Sequence, residues 1–499
     1  MDTILGIFSV IDIRFVVFVF MGAVAGLFVG SIPGLSVSMA TALLVSITYS
    51  WNTVDALATI MGVYVVGVYS GAISAILINI PGAPSSVVTT LDGHPLAIKN
   101  KSHVALSFAS MYSFIGSAFG LIALMVIAKP VSNIALKFTP MDYFLLALFG
   151  LATVGAVTSK NYTKGLLSAA FGLVVSMIGL DPIVGTPRMV MGIYNLQSGI
   201  AVVPALIGLF GFSEVLSVVY TNNFQQIVMQ VDKSKVKLKN LLKHWKLSMY
   251  TSTIGTIIGA LPGAGGPVAA FIAYNEAKRI VKNPETPFGE GAVEGIVASE
   301  SANNACIGGA LIPMLTLAVP GDAVTAILLS VFYIHGLKPG PMFLIESPEM
   351  FSAILAGGFI GCIALLVLAW IVGPKISKVI SVPKNILLPM VAVLSVVGSF
   401  ATNNRLFDVI LMFVFGLIGF VMNLREYPTA PMILAIVLGS MMDANFRRSV
   451  SLASSTDHML LSMFGKPITI FLLTATILVI VTNIPQVKQF TANLRARGK

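Results

Sequence analysis

Four apolar runs of this chain are broken by a Pro-Gly pair, at Pro33-Gly34, Pro81-Gly82, Pro262-Gly263 and Pro320-Gly321. Proline removes a backbone donor and drives the residue before it out of the helical region, so each pair ends a helix. In lipid, non-helical backbone survives only where protein buries it or where it lines a wet cavity. The breaks come in matching pairs. Gly26, Gly30 and Pro33-Gly34 have the spacing of Gly255, Gly259 and Pro262-Gly263, and the run Ala75 to Gly82 corresponds to Met314 to Gly321. The offset grows from 229 to 239 residues between the two pairs, and the polar loop Lys278 to Gly291 is the place for the ten extra residues. One GxxxG spacing in an apolar segment means only close helix packing. Two matched breaks in the same order in two halves point to a transporter's binding region.

Composition puts these breaks in a membrane. The 499 residues are 56% hydrophobic and 10% charged, against about 25% charged in soluble domains. Val104 to Ala128, Met350 to Val372 and Ile468 to Ile484 are each apolar runs near bilayer length. The expected fold class is an all-α integral membrane protein of about 12 transmembrane helices in two homologous halves, with re-entrant or broken helices. Thr221 to Lys246 carries six lysines (Lys233, Lys235, Lys237, Lys239, Lys243, Lys246) against Asp232. The division is therefore residues 1–220 as the first repeat, 221–247 as a basic cytoplasmic linker and 248–499 as the second repeat. The tail with Lys488, Arg495, Arg497 and Lys499 is expected on the same side. The net charge of +10 lies in short loops, which is the positive-inside pattern and not a nucleic-acid face. Cys306 and Cys362 lack metal or disulfide spacing. Ile13 to Ile32 lacks a cleavage site and reads as the first membrane segment. No polar stretch is long enough for a soluble domain.

A half-helix that starts after a break presents free N–H groups and a positive dipole end, which bind carboxylates without a lysine. The candidate substrate groups are Ser36 and Ser38 after the first break, Asn79, Pro81 and Gly82 at the second, Gly263, Gly265 and Gly266 at the third, and Pro320 and Gly321 at the fourth. After Pro81-Gly82 the pairs Ser85/Ser86 and Thr89/Thr90 stand four apart, on one helical face that suits a polyoxyanion; the plainer role for them is helix capping and bonding to the preceding turn. Ser299, Glu300, Ser301, Asn303, Asn304 and Asp322 form the candidate cation-coupling set, since ionisable groups beside membrane segments are functional candidates. The plainer role for Glu300 is a solvated helix end. Asp181 before Pro182, and Asp443 before Arg447 and Arg448, read as helix ends with interfacial ion pairs; Arg188 reads as an interfacial loop arginine, Glu214 as a buried acid, and Asp92 with His94 as a turn.

The stretch Pro81-Gly-Ala-Pro84-Ser85 leading to Leu91-Asp92-Gly93-His94-Pro95, the Pro262 to Pro267 segment, and the run from Phe288-Gly-Glu-Gly through Ser299 to Asn304 and on to Pro320-Gly321 resemble the large membrane subunit of the tripartite tricarboxylate transporters. The resemblance spans about Gly26 to Pro341. It implies a bacterial inner-membrane permease working with a small four-helix membrane subunit and a periplasmic solute-binding protein. It also implies citrate-like di- or tricarboxylate substrates and a cation gradient, sodium, as the drive; no cofactor is implied. Two other classes stand beside it. A cation or proton antiporter would use an embedded carboxylate such as Glu300. An intramembrane hydrolase would need a serine with a positioned base, and no serine pairs with a histidine in matching segments. The chain has no P-loop for direct ATP drive.

Overall fold

The computed structural model describes residues 2–32, 35–157, 162–181, 185–221, 232, 236–373, 384–454, 458–483 and 487. Pro33-Gly34, Lys233, Lys235 and the basic tail lie outside the described residues. The first part of the chain builds α1 (Asp2–Val10), α2 (Ile13–Ser31), α3 (Val37–Thr48), α4 (Thr53–Ile78), a tight turn at Pro84–Ser86, α5 (Val87–Ile98), α6 (Ser102–Ala135), α7 (Pro140–Val157), α8 (Tyr162–Ser176) and α9 (Val202–Thr221). The second builds α10 (Trp245–Gly259), α11 (Gly265–Ile280), α12 (Val293–Leu317), α13 (Ala323–Ile334), α14 (Pro348–Val372), α15 (Lys384–Asn403), α16 (Leu406–Leu424), α17 (Thr429–Ala453), α18 (Met459–Phe464) and α19 (Pro467–Asn483). Among the described residues, seven helices are long and apolar enough to cross a membrane, and four more are shorter and apolar. The molecule is the all-α membrane protein that its apolar runs predict.

Glycine spacing explains how the helices approach one another. A methyl group placed on Gly26 of α2 would stand 2.7 Å from the Val63 carbonyl oxygen of α4, and one on Gly255 of α10 would stand 2.1 Å from the Ala302 carbonyl oxygen of α12. Gly30 likewise abuts the Gly67 carbonyl (2.7 Å), as Gly259 abuts that of Cys306 (2.5 Å). Only glycine lets two backbones come this close. These contacts match at offsets of 229 for the glycine and 239 for its partner. The breaks repeat the pattern. A methyl group on Gly82 would stand 2.2 Å from the Gly30 carbonyl oxygen, and one on Gly321 2.4 Å from that of Gly259. α4 and α12 both stop on a left-handed residue, Asn79 (φ 57°) and Ala318 (φ 57°). Residues 281–292 join α11 to α12, where only 49–52 join α3 to α4.

Loop contacts fix which helix ends share a side. At one end Lys99 donates to the Glu290 carbonyl (2.8 Å), the Ser102 hydroxyl and His103 amide donate to Asp232 (2.8 and 2.6 Å), and Tyr112 donates to the Leu241 carbonyl (2.7 Å). This linker end holds the starts of α6, α10 and α12. At the far end Thr53 meets His335 (3.3 Å), Arg14 pairs with Asp55 (2.5 Å) and Ser132 donates to the Pro341 carbonyl (2.5 Å). α2 and α4 therefore start at the far end and run inward, whereas α10 and α12 start at the linker end. α6 leaves the linker end, and α14 finishes there, its last residues sharing a cavity with His103. The matched sets run in opposite directions, the arrangement known as inverted repeats.

Candidate functional site

A cavity of about 480 Å³ lies where the broken segments converge. Its wall repeats the internal correspondence: residues 36–38 and 265–267 line it at an offset of 229, and 83–85 and 322–324 line it at 239. Each group opens a helix or its leading turn. α3 packs against α13, and α11 packs against the Pro84–Ser86 turn and α5, so the first break of each half meets the second break of the other. Four chain segments thus begin at the wall of one volume. Ser36 caps α3, its hydroxyl accepting the Met39 amide at 3.0 Å. Gly263 (φ 74°) and Gly265 (φ 61°) supply the left-handed turns before α11, and the Gly263 amide donates to the Gly321 carbonyl at 2.8 Å. Asp322 caps α13: Oδ1 accepts from the Thr325 amide (2.8 Å) and hydroxyl (2.7 Å), and Oδ2 accepts from Tyr64 (2.6 Å). The rest of the wall includes Leu209 and Phe210 from a π-helical turn in α9, with Ser213, Glu214, and Asn423 and Pro428–Ala430 from the α16–α17 connection. No lysine or arginine lines it among the described residues.

Ser36, Ser38, Ser85, Gly263, Gly265, Gly266 and Asp322 of the sequence candidates line this cavity. Gly82, Pro320 and Gly321 are buried behind the lining, Pro81 is half-buried, and Asn79 is an exposed helix end. The four hydroxyl residues expected on one face divide. Ser85 faces the cavity, whereas the buried Ser86 hydroxyl has no hydrogen-bond partner among the described residues. Thr89 turns inward to Glu300, and the Thr90 hydroxyl donates to the Val87 carbonyl at 2.6 Å. The reason is local: Pro84–Ser86 winds as a tighter 3₁₀ turn, so these serines do not keep α-helical register with the threonines.

The second polar set surrounds Glu300, which is fully buried in the middle of α12 and is not a solvated helix end. Oε1 accepts from Thr89 at 2.5 Å, and Oε2 accepts from Ser113 of α6 at 2.8 Å and from the Asn304 amide at 3.5 Å. Asn304 also donates to Ser113 (2.9 Å), and its carbonyl accepts from Ser117 (3.3 Å). Ser299 bonds to the Gly295 carbonyl (2.9 Å), and Ser301 to the Val297 carbonyl (2.7 Å) and Ser248 (2.8 Å). Asn303 lies against Gly266, its side-chain amide nitrogen buried without a partner among the described residues. Asp322 stands apart from this set, at the cavity.

Asp92 and His94 are not a turn but lie inside α5. The buried Asp92 carboxylate accepts the backbone amides of Gly289 (2.8 Å), Gly291 (2.9 Å) and Ala292 (2.8 Å) and the Tyr274 hydroxyl (2.9 Å). It pins the long α11–α12 loop, which is why the Asp92 and Phe288–Gly291 motifs go together. At the loop's rim the Lys243 ammonium holds the exposed Glu285 carboxyl below its ordinary range, and burial lowers His244. Toward the far end Arg188 contacts Asp181 (3.1 Å) and Asp443 (2.8 Å), and Arg447 contacts Asp181 (2.6 Å) and Asp443 (3.0 Å). Asp443 makes these pairs from within α17 and not from a helix end. Glu214 is half-buried on the cavity wall and not fully buried. Ser113, Ser117, Tyr64 and Tyr274 carry no local signal, because each matters only through a partner distant in sequence.

The family described as tripartite tricarboxylate transporter TctA family matches residues 16–434. A protein of Agrobacterium vitis described as an uncharacterized 52.8 kDa protein in the TAR-I ttuC' 3' region is 31% identical over 445 residues, 87% of either chain. A second from that organism, an uncharacterized protein in the TAR-II ttuC' 3' region, is 35% identical over 196 residues, 39% of this chain and 81% of that one. No solved structure matches the chain.

Proposed function

The chain belongs to the TctA family of tripartite tricarboxylate transporters and is a multi-pass membrane transporter subunit, and from that premise we propose that it is the large permease of a bacterial inner-membrane uptake system for citrate-like di- and tricarboxylates. The carrying observation is the central cavity. Four segment starts, at Ser36, Ala83, Gly265 and Asp322, lie on its wall, where helix starts leave N–H donors, and Ser38 and Ser85 add hydroxyls. Such donors bind carboxylates without a lysine or arginine. A volume of about 480 Å³ suits a small organic anion. Lysines gather at the linker end, which makes it the cytoplasmic side. Inverted halves alternate access by rocking around such a fixed site.

The proposal includes a periplasmic solute-binding protein that selects the substrate, a small four-helix membrane subunit, and a cation gradient as drive, with the Ser299 to Asn304 segment as the coupling region. Counterflow of labelled citrate and succinate in proteoliposomes holding the full-length chain tests the site. Ser38→Val and Ser85→Val should each lower counterflow while the protein stays folded in the membrane. Sodium or proton flux that no organic anion alters, with no counterflow of either acid, would instead support an antiporter built on Glu300.

A further inference from the structure

Glu300 stands between two cavities. On one side Thr89, its Oε1 partner, lies in the first turn of α5, which follows directly on the Pro84–Ser86 turn whose Ser85 lines the central cavity. On the other, Ser113, its Oε2 partner, lies one turn from Ser110, which lines a second cavity of about 580 Å³ at the linker end with Ser107 and His103. The serines at 107, 110, 113 and 117 form a hydroxyl stripe along α6. The carboxyl group itself has no solvent contact, and no Lys, Arg or His pairs with it among the described residues. A buried carboxylate without a counter-charge is unfavourable, so the group takes up a proton or a metal cation.

The neighbouring groups decide between these. The titratable residues on the helices packed against α12, beside the exposed cations, are Asp55, Tyr64 and Tyr69 on α4, Asp92 and His94 on α5, His103, Tyr112 and Lys129 on α6, Tyr250 on α10, Tyr274 and Glu276 on α11, and Tyr333 on α13. Tyr64 is bound to Asp322, Tyr112 to the Leu241 carbonyl, and Tyr274 to Asp92, whose remaining oxygen holds three backbone amides. Lys246, Lys278 and Arg279 are exposed at the linker end. Around the carboxyl oxygens stand the Thr89 and Ser113 hydroxyls and the Asn304 amide nitrogen, all donating. A sodium ion needs oxygen acceptors converging on one point, and the Asn304 side chain presents a donating nitrogen to this carboxyl group. The Asn304 oxygen is committed to Ser117.

We propose that Glu300 is a proton-carrying group of the transport cycle, loaded through Thr89 from the central cavity and unloaded along the α6 serine stripe into the cavity at the linker end. The carboxylate takes a proton from hydronium in the central cavity and becomes a neutral acid. It then returns that proton to water on the linker side, so one proton crosses and no other atom is exchanged. This deepens the reading of the chain as a carboxylate permease and rests on it for the word transport, but the protonation itself is measurable without substrate.

Infrared difference spectra of the full-length protein in lipid, recorded between acidic and alkaline pH, should contain a carboxylic-acid C=O band that is lost in Glu300→Gln and unmoved by sodium chloride. A Glu300 signal that stays ionised throughout, or that sodium shifts, would overturn the proposal. In proteoliposomes Glu300→Gln should keep citrate or succinate counterflow yet lose accumulation driven by a pH gradient. Retained pH-driven accumulation in Glu300→Gln would also overturn it. Absence of counterflow in the unmodified protein would count against the permease reading alone and leave the infrared result to decide the proton site. Glutamine keeps the size and bonding of the side chain; Ser110→Ala, outside the carboxyl contacts, should slow pH-driven accumulation while leaving the infrared band in place.

Discussion

The two halves share a backbone and divide its chemistry. Gly26, Gly30 and Gly82 make the same backbone contacts as Gly255, Gly259 and Gly321. At the cavity, however, Ser36 and Ser38 stand where the second half has Gly265 and Pro267, and Ala83 and Ser85 stand where it has Asp322 and Val324. Hydroxyls therefore come mainly from the first half, and the second supplies bare backbone and a capped carboxylate. Positions that set helix approach cannot drift apart without collision. Positions that face an open volume can.

The glycine pairs are the place to break this comparison. Alanine at Gly82 or Gly321 would press a methyl group onto a backbone carbonyl, at 2.2 and 2.4 Å. Backbone cannot rotate away as a side chain can, so each substitution should cost about 3 kcal/mol, the upper end for overpacking. Thermal unfolding of the detergent-purified protein should drop by a similar amount for both. A normal melting temperature in one and not the other would mean that the matched contacts do different work. The next largest effect concerns the feature that the second half alone possesses, its long α11–α12 loop. Asp92→Ala strands three backbone amides, of which Gly291 and Ala292 are buried. The expected loss is about 2 kcal/mol, together with faster proteolysis within residues 281–292. An unchanged cleavage rate would remove Asp92 as the loop's anchor.

A smaller effect, on transport, separates the two sets of hydroxyls. Ser85→Val should lower citrate or succinate counterflow about tenfold, close to 1.4 kcal/mol, since it removes a cavity donor. Val324→Ser, at the matched position of the second half, should leave a working carrier. Thr90→Val should be near neutral, because that hydroxyl serves the Val87 carbonyl. Equal losses from Ser85→Val and Thr90→Val would restore the single Ser/Thr face that helical spacing suggests.

That contrast also marks what the sequence could reveal. The breaks were legible because proline and glycine act on their own backbone, and the cavity gathers around them as membrane physics requires. The apolar runs and the Asp443–Arg447 pair, four residues apart on one helix, were readable for the same local reason, whereas the Arg447 partner of Asp181 lies 266 residues away. The direction of the side chains was not. The 3₁₀ turn at Pro84–Ser86 shifts register by a fraction of a turn, enough to send Ser85 and Thr89 to different neighbours. Glu300 stood out as an embedded acid, but its partner Ser113 lies 187 residues away. Asp322 looked like a cation ligand, while its spacing to Thr325 is that of a helix cap.

The smallest effect lies where the halves agree in shape and differ in fitness for it. Asn79 and Ala318 both end a helix at φ 57°, a conformation that asparagine tolerates and alanine resists. The left-handed region costs an L-residue roughly 1–2 kcal/mol, and glycine avoids that at the expense of about 0.5–1 kcal/mol of added unfolded-state freedom. Ala318→Gly should therefore raise stability by about 0.5–1 kcal/mol, and Asn79→Gly should gain less. Ala318 is buried, so its methyl group also has packing to lose. If Ala318→Gly melts lower than the unmodified protein, that packing outweighs the backbone strain, and the break after α12 is held by side-chain contact where that after α4 is held by residue preference.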